Sequence, residues 1–181
     1  MCLVKKFVAS LFLSLAVLFF SFSAILGQTP TLAPVEVSEV NSFEVFWPLV
    51  AGKTKGESLY FLKRTKEDLR GALIFGAPQK ADYNIFLATK RILEAEKLIK
   101  ESKKELALST IDEATKNLEK ANSNVESAKS SKTSLGNIAP TALSRLNNIS
   151  ALSKWLSVKY PDFGDKLATS SEKALNLASK F

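Results

Sequence analysis

One seam limits what this chain can become. Ala107, Ile111, Ala114, Leu118, Ala121, Val125 and Ala128 recur at alternating spacings of four and three. That is the a/d pattern that keeps one face of a helix turned to a neighbour. Alanine alternating with larger side chains suits close antiparallel packing, and a matching stripe lies just upstream: Ile85, Ala88, Ile92, Ala95 and Ile99, widened by Phe86, Leu93 and Leu98. Only the polar stretch Lys100–Lys104 separates the two, so the spacing predicts a long hairpin of helices over 78–101 and 104–130. An intermolecular coiled coil through the same seam is the alternative.

The same periodicity predicts three further helices. Leu59, Leu62, Leu69 and Leu73 mark one over 57–75, with Leu59 and Leu62 facing the core and Ser58 or Glu57 near its cap. Leu143, Leu146, Ile149, Leu152 and Leu156 mark another over 141–158; Leu167, Ala174, Leu175 and Ala178 mark the last, over 164–180. Pro78 is placed to open the second helix, since proline suits a first turn. No strand-type alternation of useful length follows residue 56. The expected fold is all-α, an antiparallel bundle of about five helices over residues 57–181.

The first 27 residues differ in kind. Lys5 and Lys6 precede an uncharged run from Phe7 to Gly27, 21 residues that would rise about 32 Å as a helix. The run fits a secretory signal, with Ser21 and Ser23 near a cleavage site, and fits an uncleaved anchor equally. Either way the lysine pair holds the amino end inside and sends the rest across the membrane. The expected location is therefore extracytoplasmic, anchored or released. Residues 28–56 hold Pro30, Pro34 and Pro48 and read as an extended tether. Within it, the apolar stretch Phe43–Gly52 is expected to dock on the folded domain or lie at the bilayer surface, and Trp47 suits both.

Composition excludes several chemistries. The chain has no histidine, which removes the commonest general base and nearly all transition-metal sites. Its one cysteine, Cys2, precedes the apolar run, so no intramolecular disulfide forms. The seven glycines are dispersed and build no phosphate loop. No catalytic residue, metal site or cofactor is expected, and the chain does not read as an enzyme. The net charge of +7 falls to +5 once Lys5 and Lys6 are set aside, a modest excess typical of solvated helix faces. Nucleic acid is not an expected partner of an exported chain.

The candidate interaction surface comprises Trp47 and the turn Tyr60, Phe61, Lys63 and Arg64. Lys63–Glu67 and Arg64–Asp68 have the spacing of one-turn ion pairs, so local pairing already accounts for these charges. The functional alternative is that the aromatics and bases line a groove for a partner.

The stretch "GESLYFLKR", residues 56–64, resembles the start of a bacterial extracytoplasmic family whose domain has no assigned function. "KADYNIFLATKRILEAEKLI" and "KELALSTIDEATKNLEKA" are similar to that family's helical hairpin, which opens at a proline, here Pro78. The resemblance spans about residues 52–181. Some members follow a membrane helix whose cytoplasmic side resembles anti-sigma factors. Here about six residues precede the apolar run, leaving no room for such a domain, so direct sigma binding is not expected. The reading that results is an exported, membrane-tethered, non-enzymatic bundle of the bacterial envelope that acts by protein–protein interaction or scaffolding. The alternative is a module whose lysine-rich faces bind an anionic envelope polymer or lipid headgroups.

Overall fold

The computed structural model describes residues 38–181. The signal or anchor expected over 1–27 and the first part of the tether lie outside them. The described residues form six α-helices and no strand: α1 (Ser42–Phe46), α2 (Tyr60–Ala72), α3 (Ala77–Lys100), α4 (Lys104–Ser130), α5 (Ala139–Lys159) and α6 (Gly164–Ala178), with a 3-10 turn at Pro161–Phe163 before α6.

α3 and α4 pack along their whole length as an antiparallel hairpin, α5 and α6 form a second one, and the two stack with α3 beside α5 and α4 beside α6. Every residue of the α4 seam is buried within the chain, as are Ile85, Ala88, Ile92, Ala95 and Ile99 opposite. The seam is thus intramolecular. Both long helices end without glycine. Ser102 and Lys132 take positive φ, and the next amides, Lys103 and Thr133, donate back to Leu98 and Ala128. These six-to-one bonds cap carbonyls that would otherwise lack partners.

In α6 the expected stripe is corrected at Leu175, which is exposed; Leu177 is buried instead. Leu167, Ser170, Ser171, Ala174 and Leu177 share the inward face. Two hydroxyls there are satisfied by packing partners, Ser171 by Ser150 at 2.8 Å and Ser170 by Thr115 at 2.7 Å.

Within the expected tether, the stretch Phe43–Gly52 docks on the folded domain, one of its two expected placements, and opens as a short helix and not an extended strand. Asn41 accepts from the Phe43 amide and caps α1, and Phe46 is buried against the bundle. The Asn148 side-chain amide donates to the Val45 carbonyl at 2.9 Å, tying α1 to α5. Phe43, Trp47 and Val50 stay exposed on the other side of the segment.

The start of α2 also differs from expectation. Neither Ser58 nor Glu57 caps it; Leu59 stands at the cap with φ of 66° and no side-chain bond. Glu57 instead accepts from the Thr54 amide and hydroxyl, closing the loop before the helix. Gly76 breaks the chain after α2 at φ of 86°, where a Cβ would sit 2.5 Å from Gln79 Oε1. α3 then begins with Pro78 in its first turn.

Candidate functional site

The largest departure from expectation is the orientation of α2. Period alone places Leu59 and Leu62 in the core. Both are exposed, as are Leu69, Leu73 and Phe75. The inward face carries Tyr60, Lys63, Arg64 and Glu67, and Glu67 is the helix's only buried residue. The reason lies in α3, which presents Arg91 and Glu94 toward α2, both without measurable exposure. Two charges buried there require charged partners, and α2 can offer them only by turning its polar face inward.

The resulting network is continuous. Arg91 pairs with Glu94 on its own helix and with Glu67 on α2. Lys63 Nζ donates to Glu94 Oε1 at 2.5 Å and to the carbonyls of Ala51 and Lys53, stitching the incoming loop to both helices. The Tyr60 hydroxyl donates to Glu94 Oε2 at 3.2 Å, and Lys90 donates to Glu67 Oε1 at 2.5 Å. From α4, Glu113 receives Lys55 at 2.8 Å and Arg64 at 3.3 Å, and its Oε2 faces Arg91 Nε at 3.5 Å. The expected pairs Lys63–Glu67 and Arg64–Asp68 do not form. Lys63 reaches across to α3, and Arg64 turns to Glu67 and Glu113, because the better-shielded carboxylates lie there.

Five cations (Lys55, Lys63, Arg64, Lys90 and Arg91) thus meet three carboxylates (Glu67, Glu94 and Glu113). Burial holds the Lys63 ammonium below its usual range, the Glu94 contacts oppose that, and Lys90 and Arg91 add to it by repulsion. Burial also disfavours charge on Arg91, but Glu94 and Glu67 outweigh it and keep the guanidinium firmly protonated. The Tyr60 hydroxyl is pushed up by burial and by the Glu94 charge, so it remains a donor. A second, aromatic hinge lies further along α2. The Tyr83 hydroxyl donates to the Glu67 carbonyl at 2.7 Å, and its ring passes close enough to Gly71 that a Cβ there would meet Cε1 at 3.2 Å. Arg70 lies over both Tyr83 and Phe86, at 5.5 and 5.7 Å.

This arrangement clamps α2 and its incoming loop to α3 and α4. Its carboxylates and cations are paired with one another, with Arg91 Nε and Glu113 Oε2 buried but without a hydrogen bond, and no described group of three or more His, Cys, Asp or Glu side chains has the placement to hold a metal ion. None of the described helices is long and apolar enough to cross a membrane.

Acidification tests the clamp. Burial raises the Glu113 carboxyl, but the Lys55 bond and the Arg64 charge win and hold it below the ordinary value of 4.5. Lys97, with Thr54, lowers Glu57 as well. A carboxyl lowered by folding contributes stability above its unfolded value, and that contribution is lost as pH falls through the folded value. The melting temperature is therefore expected to decline once pH drops below about 4.5. A scan of thermal midpoints against pH checks this.

The five residues proposed from sequence fall into two groups. Tyr60, Lys63 and Arg64 belong to the clamp, while Phe61 (63% exposed) and Trp47 (66%) face outward at separate places. Arg91, Glu94, Glu67 and Glu113 were not anticipated. Their only trace in the sequence is that Arg91 and Glu94, one turn apart, fall within the apolar stripe of α3 that runs from Ile85 to Ile99.

The outward side of α2 carries Leu62, Lys66, Leu69 and Leu73 in one row, with Phe61 beside it. Lys66 forms no ion pair among the described residues. A profile for the family described as domain of unknown function, DUF5667, matches residues 52–157, which take in α2 through most of α5. No curated protein and no solved structure is detectably similar.

Proposed function

We propose a function for a chain that belongs to the DUF5667 family of domains of unknown function: an exported, membrane-tethered, non-enzymatic bundle that acts by protein–protein interaction. The observation that carries this reading is the outward row of α2. A helix whose leucines are exposed while its charges are buried has been spent on display, not on the core. Leucines on one helix face, with a phenylalanine beside them and a single cation among them, is the form in which a helix enters an apolar groove on a partner. Unpaired Lys66 at the middle of the row calls for a carboxylate in that groove. The apolar run Phe7–Gly27 and its lysine pair support export and tethering.

A photo-crosslinking residue at Leu69, in the full chain expressed in cells, tests the reading. One discrete adduct is expected from the envelope fraction, absent when the probe replaces exposed Lys120 on α4. The adduct should weaken with Lys66→Glu and vanish with Leu62→Asp/Leu73→Asp, changes that alter stability by no more than about 0.5 kcal/mol each on an exposed face. No adduct beyond that seen at Lys120, or recovery of the chain from cytosol alone, would overturn it.

A further inference from the structure

A second surface has no part in that row. Segment 42–50 is apolar on two sides. Val45, Phe46 and Leu49 pack on the bundle, whereas Phe43, Trp47 and Val50 point away, each more than half exposed. The Phe43 and Trp47 rings meet edge to face at 4.9 Å, so they form one projecting unit instead of two loose side chains. Its base is firm: the Asn41 cap, the buried Phe46 and the Asn148–Val45 bond fix α1 on the bundle.

We propose that Phe43, Trp47 and Val50 seat in the headgroup layer of the phospholipid bilayer to which the chain is tethered. The inference rests on the reading that residues 7–27 hold the chain at a membrane. Fifteen residues lie between Gly27 and Phe43, a path of at most about 55 Å whatever its course. Among the described residues, the aromatic unit is thus the first exposed apolar surface after the membrane run. Tethering turns its encounter with lipid into an intramolecular event, at effective concentrations on the order of millimolar. A contact too weak to recruit a free protein is populated under those conditions. Tryptophan suits that layer because its ring is apolar while its indole N–H stays wet. Beside Phe43 and Val50 a groove of about 350 Å³ runs to the stems of Lys97 and Lys100. Those two ammonium groups are already paired with Glu57 and Glu96. The rim is nearly neutral, so the seat works by apolar insertion and does not require anionic lipid.

The test uses the full chain and its Trp47→Phe variant in phosphatidylcholine vesicles whose acyl chains are brominated close to the headgroup. Trp155, the other tryptophan, is buried under Lys159 at 4.5 Å and serves as the internal reference. Both proteins should float with the vesicles. Bromine should quench the wild-type emission several-fold more than that of Trp47→Phe, and iodide in the buffer should quench Trp47 little. Flotation with equal quenching of the two proteins, and Trp47 open to iodide, would overturn the seat while leaving the tether intact. Failure to float would overturn the tethered reading and the seat with it.

Discussion

Replacing Leu118 by Asp is expected to cost at least about 4 kcal/mol, since it combines the loss of a buried leucine with a charge that finds no partner. Leu118 is 1% exposed at the centre of the α4 seam, and alanines at 114 and 121 bring the facing helix close. The cost is large against the 5–15 kcal/mol that typically holds a domain together. Urea titrations followed by helicity would show the midpoint fall steeply or the transition vanish. The same change at exposed Leu175 should alter stability by no more than about 0.5 kcal/mol. Equal effects at the two positions would mean that the seam is not where the hairpin closes.

The second large effect is expected at Glu94. It accepts from Lys63, Arg91 and Tyr60 together, in a cluster where cations already outnumber carboxylates. Glu94→Ala leaves Arg91 and Lys63 buried with one fewer negative charge, a loss of about 3–5 kcal/mol by the measure of broken buried pairs. Glu94→Gln keeps acceptor capacity but not charge and should fall between wild type and Glu94→Ala. Thermal midpoints of the three proteins provide the check. An ordering in which Gln is as damaging as Ala would assign the effect to charge alone. No loss in either would mean that α2 is held by something other than the clamp.

The hairpin was legible because its two helices bury one continuous face, and burial of that kind writes a period into the residues. α2 was misread for the opposite reason. Its leucines carry the same three-and-four spacing as a core stripe, and periodicity records only that a helix has two faces. Which face turns inward was decided by Arg91 and Glu94, some 30 residues away, and no local rule connects them to Glu67. Phe46 and Trp47 show the limit at finer scale. They are adjacent and both apolar, yet one is buried and the other projects, because α1 turns one side to α5. The candidate turn is a place where charge and aromatic groups gather, as its composition states. Its division into clamp residues and display residues depended on tertiary contacts that sequence spacing does not encode.

The inverted helix has a consequence for how such a chain can drift. Core positions are coupled to their neighbours by volume, so a change at one limits the next. The outward row of α2 has no such neighbours within the described chain, and Leu62, Leu69 and Leu73 are free to change in size or polarity without a compensating change in the bundle. The clamp is the reverse: an exchange at Glu67, Arg91 or Glu94 needs a matching exchange in charge elsewhere. Change on the outward surface is thereby separated from keeping the fold, and a lineage could alter that surface by substitutions on one helix face alone.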